Sequence, residues 1–226
     1  RWGASLHLRH QVRDPVLRAR LLPAYAPGCK RMMVSSDYYP ALQKPGVAVV
    51  TEAIARVEPQ GIVTTDGQLH PCDAIVWATG FTTTEFVTPM RVYGDQGVEL
   101  SALWHQQPAA THLGIHVAGF PNFHMLVGPS TGLGHNSIVF MIEAQLNTIV
   151  GAITQRHAVM RLKPAVQAAS YAELQQRMQH TVWLSGCRSW YQSADGRIDT
   201  LWPGFTWQYW WRTRRFDARN YEISET

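Results

Sequence analysis

FHMLVGPSTGLGHNSIVFMIEAQ, residues 123–145, decides how this chain is read. An apolar run ends at Val127, a loop of small residues follows, and from Ile138 the apolar side chains recur at intervals of three and four. Ile138, Met141, Ile142, Leu146, Ile149, Val150 and Ile153 all fall on that spacing, which predicts an amphipathic helix with Asn136 or Ser137 capping its start. A strand–loop–helix order gathers unsatisfied backbone N–H groups and the positive end of a helix dipole at one point, and such a point attracts negative charge. It is not a dinucleotide fingerprint, because Ser137 stands where the third glycine of that pattern belongs, and it is not a phosphate loop, because no Lys-Ser or Lys-Thr follows the glycines. A sharp turn at Gly128, Gly132 and Gly134 is the plainer explanation of the loop from spacing alone.

A second small-residue segment precedes it. In DAIVWATGFT, residues 73–82, four apolar residues that read as a buried strand run into Thr79 and Gly80, a strand end with an open backbone. Ligands of α/β sheets gather beyond such carboxyl ends. Around this segment, residues 47–77 read as four or five short strands, with Asp66-Gly67 marking a tight hairpin. A meander of that size needs a larger element to complete its core. Upstream, residues 6–22 carry helical spacing with a restart at Asp14-Pro15, and Pro23, Pro27 and Gly28 end it. Downstream, residues 171–184 predict a further helix, and the Trp-rich remainder reads as a hairpin and an irregular cap.

Composition narrows the classes. The chain has 226 residues, 46% hydrophobic and 16% charged, which suits a globular protein of one large or two small domains. No apolar window reaches the roughly 20 residues of a membrane helix. The net charge of +4 could favour an anionic partner, yet the basic clustering is confined to RTRRFDAR, residues 212–219, so nucleic-acid binding is not expected. Cys29, Cys72 and Cys187 are odd in number and far apart. That argues against a disulfide framework and against a zinc site, and makes a cytoplasmic location the expectation. No secretory signal is visible at the start.

Four segments taken together resemble one family. DAIVWATGF, GCKRMMVSSDYYPAL, AGFPNFHMLVGPSTGLGHNS and GCRSWYQSADGRIDTLWPGFTW, in this order, look like the C-terminal half of class B flavoprotein monooxygenases, the Baeyer–Villiger and flavin-containing monooxygenase group. The family's two GxGxxG loops, for FAD and for NADPH, and its FxGxxxHxxxW-type fingerprint are not in this chain. The resemblance therefore implies an α/β fold that is the C-terminal part of a two-dinucleotide-binding-domain flavoprotein. Residues 1–46 would form the end of the NADPH-binding domain and a connector, and residues 47–226 the C-terminal part of the FAD-binding domain with its cap. An N-terminal half of the same protein is the expected partner.

The resemblance also implies a chemistry. In similar enzymes NADPH reduces FAD, the reduced flavin takes up O2 at C4a, and the peroxide delivers one oxygen atom to a ketone or to a soft nitrogen or sulfur. Arg31 matches the family's active-site arginine, a permanently charged planar donor suited to a peroxyanion and to the later oxyanion. Thr79, Gly80, Gly128, Pro129, Asn136 and Ser137 would face the cofactor, and Leu133 and His135 the substrate. His135 has no visible proton-transfer partner, so contact or packing is its expected role. Most of the tryptophans are expected to pack. A disulfide reductase is disfavoured because the chain has no CxxC. A fragment without activity of its own is the alternative of another class.

Overall fold

The computed structural model describes residues 2–154, 159–186 and 188–224. The chain divides into two compact units, residues 1–27 with 33–80, and residues 28–32 with 81–226. Both mix helices and strands, in keeping with the α/β class.

In the first unit, α1 (Trp2–Gln11) and α2 (Pro15–Leu21) are separated where the sequence restarts. Asp14 caps α2 by accepting from Val16 N at 2.9 Å, ahead of Pro15, whose missing N–H costs nothing at that position. α3 (Tyr38–Ala41) is a single turn, and Gln43 Nε2 ties it to α1 by donating to Tyr39 O and Gln11 O, both at 2.9 Å. The meander has three strands, β1 (Ile54–Glu58), β2 (Gly61–Thr64) and β3 (Leu69–Pro71), antiparallel in that order. The turn at Asp66-Gly67 is as the sequence predicts, with Gly67 at φ +83°.

Residues 47–51 and 73–78 are not strands. The expectation of four or five is corrected to three. The side chains of 73–78 have strand chemistry, but the segment pairs with nothing in its unit, leaving Val76 90% and Trp77 71% exposed. A strand is made by its neighbour as well as by its own propensity.

The second unit holds α4 (Leu100–Gln106), α5 (Ile138–Thr154), β4 (Val159–Leu162), α6 (Pro164–Met178), α7 (Thr206–Thr213) and β5 (Tyr221–Ser224). β4 and β5 pair antiparallel, with Leu162 opposite Tyr221. The helix expected at 171–184 starts at Pro164, again a proline at the first helical position, and ends at Met178; Val182–Leu184 is a 3-10 turn. The run before the glycine loop, residues 123–127, is irregular rather than a strand, with Met125 N donating to Ile115 O at 2.9 Å. The aromatic run expected as irregular cap is helix α7.

α5 is where the spacing predicts it, but only part of the expected face is buried. Met141, Ala144, Gln145, Thr148, Ile149 and Ala152 are buried, whereas Leu146, Val150 and Ile153 are exposed. Small residues on the buried side let α7 approach: Thr148 Oγ1 reaches Thr213 O at 2.7 Å, and a core forms from Leu133, Met141, Ala144, Leu174, Trp202 and Tyr209.

Candidate functional site: the glycine loop ahead of α5

The loop of residues 127–137 is fixed almost entirely by distant parts of the second unit. Val127 has φ +57° and Ser130 φ +64°, a left-handed conformation that is uncommon for serine and an outlier for a β-branched residue. Such strain persists only where the surroundings over-determine it. Val127 N donates to Gln145 Oε1 at 2.9 Å, and Ser130 N donates to Asp199 O at 2.6 Å. Gly132 N donates to Thr200 O at 2.8 Å and Gly132 O accepts from Trp202 N at 2.9 Å, so the loop forms a parallel bridge with residues 200–202.

The glycines answer a question left open by the sequence. Gly128, Gly132 and Gly134 are not in the left-handed region, so a sharp turn is not what requires them. A Cβ on Gly128 would lie 2.3 Å from Gly114 O, and one on Gly132 2.7 Å from Thr200 O. Their function is close approach of backbone to backbone. Gly134 differs: its nearest neighbours would be Trp183 and Tyr191 at 3.7 Å and beyond.

Burial changes along the loop. Gly128, Pro129, Ser130 and Thr131 are buried, and Thr131 Oγ1 donates inward to Gly128 O at 2.6 Å. Leu133 is 9% exposed and lies in the core with Met141 and Tyr209. His135, Asn136 and Ser137 are exposed at the start of the 17-residue α5. Asn136 Oδ1 accepts from Ser137 N at 2.7 Å and its Nδ2 donates to Thr206 Oγ1 at 3.0 Å. The helix N-terminus thus presents its positive end beside exposed polar side chains.

The other candidate positions fall elsewhere. Arg31 is exposed in irregular chain of the second unit, two residues after buried Cys29. Thr79 and Gly80 end the first unit; Gly80 has φ +89°, and a Cβ there would meet nothing within 4 Å. Cys29 is disulfide-bonded, which corrects the expectation from cysteine spacing. Cys72 is free and exposed, and Cys187 lies outside the described residues.

A second polar cluster had no signal in the sequence. Tyr221 OH lies 2.7 Å from His116 Nδ1, and His116 Nε2 lies 2.7 Å from His124 Nδ1. Nearby, His112 Nδ1 is 2.7 Å from Ser170 Oγ. Burial lowers the pKa of His112 to about 4 and that of His116 to about 3, with Arg212 adding to the effect at His112 and His124 at His116. Neutral imidazoles thus brace β5 against the rest of the unit. Among the described residues no group of three or more His, Cys, Asp or Glu could hold a metal, and no helix is long and apolar enough to cross a membrane.

No protein-family model matches the chain. Individual proteins do. It is 42% identical to a Baeyer–Villiger monooxygenase of Pseudomonas aeruginosa over 99% of its own length and 43% of the relative's. It is 41% identical to a Baeyer–Villiger monooxygenase of Streptomyces coelicolor, over 97% of this chain and 43% of that one. Among solved structures, OTEMO in complex with FAD and NADP superposes with a TM-score of 0.83 at 25% identity, over 97% of this chain and 43% of OTEMO. The chain therefore spans about two fifths of the length of the relatives it matches. In sequence and in fold the chain is similar to a portion of the Baeyer–Villiger monooxygenases.

Proposed function

We propose that this chain is the C-terminal portion of a monooxygenase that uses FAD and NADPH to insert one oxygen atom from O2 into a ketone. The observation that carries the reading is the loop of residues 127–137: a strained backbone held from several sides, opening onto the exposed N-terminus of a 17-residue helix. Its fit to a flavin is chemical. A helix N-terminus with Asn136 and Ser137 favours the negative charge of a reduced flavin. When bound, the flavin supplies the oxygen-transfer chemistry, and the chain's residues bind and orient.

In this reading Thr79, Gly80, Gly128, Pro129, Asn136 and Ser137 face the cofactor. Gly128 and Pro129, being buried, act through the shape they give the loop. Arg31 contributes a planar guanidinium whose donors stabilise oxyanions. His135 and Leu133 bound the substrate side, His135 by contact. Oxygenation of a nitrogen or sulfur centre is the second reading, since the C-terminal portion lacks the fingerprint that separates the two. A cytoplasmic setting belongs to the same proposal.

The unpaired segment 73–78 supports the need for an N-terminal half. The test is flavin retention. After mixing with FAD and desalting, the 226-residue chain is expected to carry no flavin absorbance, and a polypeptide extended N-terminally to the relatives' length is expected to keep it. An extended polypeptide that also loses the flavin refutes the proposal.

A further inference from the structure

Two buried polar side chains outside the loop converge on its strained turns. Leu113 (φ +56°) and Val127 (φ +57°) are both left-handed without being glycine, and each is followed by a glycine. The turns lie back to back: a Cβ on Gly128 would strike Gly114 O at 2.3 Å, and one on Gly114 would strike Thr131 Cγ2 at 2.1 Å and Pro129 O at 2.8 Å. Tyr209 of α7 donates its hydroxyl to Leu113 O at 2.6 Å. Gln145 of α5 accepts from Val127 N at 2.9 Å. Tyr209 and Gln145 are both 0% exposed. Burial raises the pKa of the Tyr209 hydroxyl, with Gln145 acting against that shift, so the two polar ends face one another's environment.

We infer that Tyr209 and Gln145 are positioning residues that clamp the paired turns Leu113-Gly114 and Val127-Gly128 and so set the shape of the glycine loop. The inference rests on the reading of that loop as part of a flavin site. It also gives the aromatic helix a role beyond packing: α7 holds a turn that lies 96 residues earlier in the sequence.

The test has two arms. In the 226-residue chain, hydrogen exchange is followed at the amides of residues 127–134 in Tyr209→Phe and Gln145→Met. Tyr209→Phe keeps the ring and its packing and removes only the hydroxyl. Thr213→Val serves as the comparison, because its hydroxyl bonds only within α7, to Tyr209 O at 3.0 Å and Trp210 O at 3.4 Å. Exchange in the loop is expected to accelerate about tenfold in the first two variants, as follows from losing one buried hydrogen bond, and to be unchanged in Thr213→Val. Loop exchange that rises equally in all variants, or in none, overturns the inference.

In the second arm, the chain extended to its relatives' length is titrated with FAD. Tyr209→Phe is expected to weaken FAD binding about tenfold, in step with the exchange. An exchange effect with unaltered FAD affinity also overturns the inference. If the unsubstituted extended protein binds no FAD, the flavin reading itself has failed, while the exchange arm still reports on the clamp.

Discussion

Replacing Gly128 by alanine, alongside the same change at Gly134, separates close backbone approach from turn geometry. The Cβ at 128 would sit 2.3 Å from Gly114 O, whereas ordinary contact begins at 3.4 Å, so about 1.1 Å must be opened. The obstacle is backbone, and it is itself wedged, since Gly114 has Pro129 O and Thr131 close by and Leu113 O is held by Tyr209. Overpacking of this kind costs about 1–3 kcal/mol. The loss of unfolded-state freedom on going from Gly to Ala returns about 0.4–1 kcal/mol, for a net loss of about 1–2 kcal/mol. For a chain of this size that lowers Tm by roughly 2–8 °C. At Gly134 the new methyl would meet neighbours at 3.7 Å or more and φ is not left-handed. There the entropic gain stands alone, and Tm should hold or rise slightly. Thermal unfolding by circular dichroism, read on both variants in the same buffer, gives the comparison. Equal Tm values for the two variants, or a loss confined to Gly134→Ala, would refute the close-approach argument.

Two further outcomes follow from other parts of the fold. The lowered pKa values of His112 and His116 mean that the unfolded chain takes up protons near pH 6.5 while the folded chain does not until about pH 4 and about pH 3. Their contribution is therefore fully present above pH 6.5 and is lost as pH falls towards 4; a urea midpoint that stays flat between pH 7 and pH 4.5 in wild type, and matches that of His116→Gln, contradicts the buried neutral network. In a protein extended to the relatives' length, Arg31→Ala is expected to leave NADPH oxidation measurable while product oxygenation falls several hundredfold, about 3–4 kcal/mol of barrier. Full oxygenation in that variant, measured by product chromatography, would remove Arg31 from the mechanism.

How much of this was legible depended on how local the cause was. The break at Asp14-Pro15, the Asp66-Gly67 turn and helix α5 are set by neighbouring residues, and the sequence reading places all three correctly. The face of α5 was not legible, because the apolar spacing counts Leu146, Val150 and Ile153 equally with Met141 and Ile149. Only the small side chains opposite α7 decide which of them is covered. Helix α7 was hidden by its tryptophans, which read as cap, and by a start without the usual cap side chain: Gln208 Oε1 accepts from Phe205 N at 3.2 Å, but phenylalanine has nothing to offer in return. The loop was recognisable as a candidate site. Its supports were not, because Gln145, Asp199 and Tyr209 lie 18 to 96 residues from the atoms they hold.

The bare stretch at residues 73–78 has a practical side. Ala74 to Ala78 is rich in β-formers, carries no charge and no proline, and offers a full row of unpaired N–H and C=O groups to any passing chain. Asp73 is its sole flanking acidic guard. As its concentration rises this polypeptide should self-associate through that row, and a charge introduced at the 90%-exposed Val76 should suppress the association. During synthesis the order of events would matter for the same reason: a segment this adhesive is safest when the surface that receives it has already left the ribosome.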